Sequence, residues 1–150
     1  MELKIPQSIQ IEHEELHQEL ANALKAGGKT GEATRAVMKI LQPHMAREEE
    51  FVAPALALLG PVAAGQFTPE MAAHLPHISA LRAELPRMLR EHGLMVEALR
   101  NLMKAAIEEK QPGFAGVAQR LIVHAQEEEE ILYPAALLVC DALKARFEKP

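Results

Sequence analysis

Two stretches of this chain set the same reactive side chains at the same spacing. His44-Met45-Ala46-Arg47-Glu48-Glu49-Glu50-Phe51-Val52-Ala53-Pro54 aligns without gaps on His124-Ala125-Gln126-Glu127-Glu128-Glu129-Glu130-Ile131-Leu132-Tyr133-Pro134. Each has a histidine, a carboxylate four residues on, and a proline six beyond that. Four residues apart on a helix, an imidazole and a carboxylate face the same way and can hold a metal ion or a proton between them. Glu12-His13 likewise aligns on Glu91-His92, with Leu20 falling on Leu99. Each half therefore reads as a hairpin: a helix bearing Glu-His, then a helix bearing His-x-x-x-Glu.

The elements that must position these groups are helices. One helical pattern runs from Ser8, an N-cap, to Lys25 and stops at Gly27-Gly28. A second starts at Thr30 and reaches about Leu59 before Gly60-Pro61. Thr68-Pro69-Glu70 opens a shorter segment. The third main helix spans about Pro86 to Glu109, and Gln111-Pro112-Gly113 turns the chain into the fourth, ending near Phe147. Pro43, Pro54 and Pro134 fall inside these patterns and are expected to kink rather than end them. Two hairpins related by a pseudo-two-fold make one all-α, four-helix bundle spanning residues 1–150, with a short extra helical segment between helices two and three.

The apolar seams place the reactive groups indoors. The second helix reads Val37, Leu41, His44, Glu48, Phe51, Ala55, Leu58, and the fourth Val117, Leu121, His124, Glu128, Ile131, Ala135, Leu138. The third reads Leu85, Leu89, His92, Val96, Leu99, Met103, and the first His13, His17, Leu20, Leu24. His13 and His44 each lie ~15 residues from the centre of the first turn and should share a level, whereas His92 and His124 are offset by ~10 Å. Five histidines and two glutamates thus converge with no Lys or Arg among them. Burying them without counter-charge costs several kcal/mol per unpaired group, and a multivalent cation removes that cost.

Composition excludes several function classes. Aromatics are 3% with no Trp, and strand-forming residues are scarce, which disfavours sheet folds. A net charge of −5 with no basic stripe makes a poor nucleic-acid binder. The longest apolar run, Ile131–Cys140, is too short to span a bilayer and contains Pro134. Residues Met1 to Pro6 lack the apolar stretch of a signal peptide. The lone Cys140 allows no internal disulfide and no cysteine-built metal site. A cytoplasmic protein bound to neither nucleic acid nor membrane is expected.

In these four motifs, in this order, the chain resembles the hemerythrin-like (HHE cation-binding) family from about Ile9 to Leu138. The resemblance implies an up-down-up-down bundle holding two non-haem irons with an oxo or hydroxo bridge. It assigns Glu48 and Glu128 as bridging carboxylates, and His13, His44, His92 and His124 as terminal ligands. Hemerythrins proper carry a histidine pair four apart on the third helix; here the pair is His13 and His17 on the first, and Val96 takes the matching slot. If each hairpin serves one metal, His13, His17 and His44 complete the first, while His92 and His124 leave the second with an open position. Such a position suits dioxygen or a related diatomic or peroxide ligand, for carrying, sensing or scavenging. Imidazole and carboxylate also accommodate zinc or manganese.

Two other readings compete. His13-Glu14-Glu15-Leu16-His17 matches H-E-x-x-H, a helical zinc signature in which Glu14 would be the general base of a metallopeptidase. A metal-free scaffold is the other, and it leaves the polar layer unexplained. Glu49, Glu50, Glu127, Glu129 and Glu130 read as solvated faces. His74 and His77 read as surface or linker residues, Cys140 as a small buried hydrophobe, and Tyr133 as core with a hydroxyl able to reach the metal layer.

Overall fold

A computed structural model describes residues 3–148. It is helical, with no strand among the described residues. Helix α1 spans Gln7–Lys25 and α2 Gly28–Phe51, followed by the short α3 (Ala53–Ala57) and α4 (Leu59–Ala63). A 3-10 turn at Pro69–His74 leads into α5 (Leu75–Ile78). Helix α6 spans Leu81–Glu108 and α7 Pro112–Glu127; one turn of π-helix, Glu128–Leu132, joins α7 to α8 (Tyr133–Phe147). Helix α1 packs on α2, α2 on α6, α6 on α7, and α7 back on α1.

The first turn is tighter than expected. Gly27 (φ 67°) and Gly28 (φ 58°) supply the left-handed backbone that lets α2 begin at Gly28. Thr30 lies inside the helix; its backbone N–H and its hydroxyl both donate to Glu109 Oε1 at 2.6 Å. The carboxylate that caps α2 thus comes from the end of α6, where the N-terminal dipole favours a negative charge.

The seam of the second helix stays inside past Glu48, with Phe51 partly buried and Ala55 and Leu58 buried, whereas the seam of the fourth departs from expectation after Glu128. On α7, Val117, Leu121, His124 and Glu128 are buried, but Ile131 is 58% exposed and Leu138 69%. The π turn adds a residue to one helical turn and rotates everything after it. Tyr133, Ala136, Val139, Cys140 and Leu143 face inward instead. On α2 the helix breaks at Val52, immediately before Ala53-Pro54, instead of kinking through Pro54. On α6 the inward stripe is Met88, His92, Met95, Leu99 and Leu102, while Leu89 is exposed.

The interior has two apolar clusters. One gathers Leu16, Leu20, Val37, Met95, Leu99 and Leu121 from α1, α2, α6 and α7. The other gathers Leu58, Ile78, Leu81, Met88, Tyr133 and Leu143 from α3 through α8. Among the described residues, His44, Glu48, His92, His124 and Glu128 are the buried histidines and carboxylates.

Candidate metal centre

Helix α2 presents His44 and Glu48 on one face, α6 presents His92, α7 presents His124, the π turn presents Glu128, and α1 presents His13. His44 Nε2 lies 2.9 Å from Glu48 Oε1 and 2.9 Å from His92 Nε2. His92 Nε2 lies 3.2 Å from Glu128 Oε1. His13 Nε2 lies 3.1 Å from His124 Nε2, which is 3.6 Å from Glu128 Oε2. The donors form two groups, each with its ligand atoms within 4.8 Å of one another: His44, Glu48, His92 and Glu128, and His13, His124 and Glu128. Glu128 belongs to both.

The outer nitrogens explain why the inner ones converge. His44 Nδ1 donates to Glu91 Oε1 at 3.2 Å, His92 Nδ1 to Glu129 Oε1 at 2.9 Å, and His124 Nδ1 to Glu12 Oε1 at 2.7 Å. Arg47 in turn donates to Glu91. A ring whose Nδ1–H is given to a carboxylate turns its Nε2 lone pair inward, as metal-binding histidines do. The Glu of each Glu-His pair therefore orients the histidine of a neighbouring helix, His44 for Glu91 and His124 for Glu12.

Every buried side-chain nitrogen and oxygen among the described residues has a polar neighbour within hydrogen-bonding distance. Not every such pair has a proton to share. With both Nδ1 atoms donating, the Nε2 lone pairs of His44 and His92 face each other across 2.9 Å. Two nitrogens held at right angles about 2.0–2.1 Å from one ion would be about 2.9 Å apart. The donor set fits a cation with no rearrangement of these two rings.

The electrostatics agree. Burial, with a hydrogen bond to Glu128, pushes the Glu48 carboxyl up to about 7. Burial works against ionisation of Glu128 too, but its bonds to Glu48, His124 and His92 prevail and hold it well below the usual range. Burial likewise opposes a charge on His124, yet Glu128 and Glu12 outweigh it and raise this imidazole to about 9. His13 is lowered by burial and then by the neighbouring His124 charge. His124 and His13 are thus pushed in opposite directions, across the 3.1 Å between their Nε2 atoms.

Tyr133 completes the buried group. Its hydroxyl donates to Glu48 Oε1 at 2.5 Å and lies 3.1 Å from His92 Nε2. Burial and the charges of Glu48 and Glu128 keep that hydroxyl protonated. The expected reach of Tyr133 into the polar layer is present because the π turn rotates it inward.

Of the seven sequence candidates, six come together. His17 is exposed and lies outside both donor groups, although it lines the cavity next to His13. The division of metals by hairpin does not form either: His44 pairs with His92 across α2 and α6, and His13 with His124 across α1 and α7. Glu14 is exposed beside His17, and no strand among the described residues borders them to hold a peptide. Glu129, read as a solvated residue, is a partner of His92; its equivalence with Glu49 in the repeat could not reveal this, since Glu49 makes no such bond. His77 stacks on Phe51 at 5.9 Å, away from the donors.

Residues 7–136 match the model of the hemerythrin HHE cation-binding domain. The chain belongs to that family. The matched span of the hemerythrin domain holds every donor in both groups. Comparison with curated proteins and with solved structures gives no match. No helix among the described residues is long and apolar enough to cross a membrane.

Proposed function

We propose that this hemerythrin-family chain is an up-down-up-down four-helix bundle holding two non-haem irons, and that it binds dioxygen or a related small ligand. The observation that carries the reading is the paired donor set sharing Glu128. In it, His44, His92 and Glu48 serve one ion, His13 and His124 the other, and Glu128 bridges. His17 joins only by turning inward from the cavity wall. Iron there would supply the redox chemistry that captures the small ligand.

The rest is the work of the chain. Glu91, Glu129 and Glu12 hold three imidazoles with their Nε2 atoms inward. Tyr133 keeps a proton on its hydroxyl beside Glu48 and His92. Leu41, Met95 and Leu121 border a small cavity of ≈ 20 Å³ among the donors, which has room for about one water-sized molecule. His44 and His92 are buried, whereas His13 is only partly buried, so the His13–His124 side is the one that meets a ligand. Carrying, sensing and scavenging all use such a site, and a cytoplasmic setting goes with the proposal.

The test is metal content together with the optical spectrum of protein purified without chelators, before and after the reduced form meets air. About two irons per chain, with a near-ultraviolet spectrum that responds to oxygen, is the result expected of a dinuclear centre. Reversibility separates carrying from sensing or scavenging. One zinc per chain and no colour would overturn the di-iron reading.

A further inference from the structure

A second cavity lies along α1 where it faces α2 and α3, with a volume of ≈ 1070 Å³. Ligand pockets are about 300–1,000 Å³, whereas a water molecule's share of liquid volume is about 30 Å³. The space far exceeds what a diatomic needs. Its inner end is formed by His13, Glu48 and Glu128, and its walls include Ile9, Met45, Val52, Leu56 and Leu132. Gln7, Gln10 and Gln18 line it from exposed positions.

The internal repeat shows why the cavity is on this side. Position 53 corresponds to position 133, and Ala53 stands in the cavity wall where the other half has the buried Tyr133 ring. Position 49 corresponds to position 129. Glu129 closes onto His92, whereas Glu49 is exposed, lines the cavity and makes no hydrogen bond to His13. Two side chains seal one half of the centre, and their counterparts leave the other half open.

Charge narrows the occupant. Glu14 and Glu49, which hold no metal in the proposed centre, face the space, and Lys4 is the one lysine or arginine among the described residues that line it, so an anion is disfavoured. The aliphatic walls disfavour a strongly hydrated molecule. We propose that this cavity binds an uncharged, mostly apolar organic molecule, seated with one end against His13 and Glu48. Its walls are side chains and stand whichever ion the donors hold, so the inference is independent of the iron assignment.

The test is a fluorescence titration with N-phenyl-1-naphthylamine, an uncharged apolar probe, with metal content measured on the same samples. The wild-type chain is expected to bind about one equivalent saturably, and Ala53→Tyr to weaken binding by about ten-fold or more by filling the inner end. Leu138→Tyr, on an exposed face away from the cavity, should bind as wild type does. If Ala53→Tyr does not fold, Ala46→Trp, in the same wall, serves in its place. A wild-type signal that does not saturate, or binding undiminished by a folded wall variant, overturns the proposal. Probe uptake without metal, or metal without probe uptake, tells its failure apart from that of the metal centre.

Discussion

Glu91→Ala removes the acceptor that fixes the His44 ring while leaving every donor to the metal in place. The His44 imidazole is buried and Glu91 is 13% exposed, so water does not readily replace the lost carboxylate. Loss of an outer partner of this kind costs about 10–100-fold in metal affinity, which is about 1.4–2.7 kcal/mol. The equivalent carboxylate in the other half, Glu12, is 45% exposed, and water can stand in for it beside His124. Glu12→Ala should therefore fall at or below the weaker end of that range. Glu91→Gln, which keeps an acceptor oxygen and loses the charge, should lie between wild type and Glu91→Ala. The assay is titration of the metal-free protein with Fe(II) or Zn(II) against a chromophoric chelator. Denaturant unfolding of the metal-free variants gives separately the cost of stranding Arg47. If Glu91→Ala binds metal as tightly as wild type, or Glu12→Ala costs more than Glu91→Ala, the orienting role assigned to these carboxylates is wrong.

His124→Ala should lower metal content and weaken any oxygen adduct, whereas His77→Ala, against Phe51 and away from the donors, should do neither; elemental analysis of both checks this, and equal losses would refute the seam assignment. Loading should also release protons. His124, raised to about 9, carries a proton at neutral pH, and Glu48, raised to about 7, carries one part of the time. A cation needs the neutral imidazole and the ionised carboxylate, so protons compete with it. Apparent affinity should climb as pH rises through 7 toward about 9 and fall as pH drops, with about one to two protons released per chain near pH 7. Metal titration in weakly buffered solution, followed with a pH indicator, reads both; affinity flat from pH 6 to 9 would contradict the assignment.

Much of the centre was legible because its signals are local. His44-x-x-x-Glu48 and His124-x-x-x-Glu128 need only helical periodicity to place both donors on one seam, and the Glu-His pairs mark the partner helices. His92 meets Glu128 and Glu129, about one turn beyond His124. What periodicity could not supply was winding. A single π turn moves Ile131 and Leu138 to solvent and brings Tyr133 indoors, and no residue type in Glu128–Leu132 announces it. The pairing of His13 with His124 was hidden because periodicity does not say that α1 and α7 touch. His17 illustrates the limit of spacing: four residues from His13 puts it near the same face, but its side chain is exposed, on the walls of both cavities and outside both donor groups.

The polar layer also divides the interior. Leu20, Leu99 and their neighbours pack on one side of it, and Ile78, Leu81 and Leu143 on the other. Long helices such as α6 run through both, yet the side chains that join the two sets across the layer are the ones that meet a metal. An ion there would couple the two halves, tying donors from four helices and the π turn into one joint that otherwise rests on hydrogen bonds among them. Local opening is drawn from the least supported parts of a structure. In this chain α1 is packed more sparsely on its neighbours than α2, α6 and α7 are on theirs, and it borders the large cavity, so loosening there would also open the route by which a ligand enters.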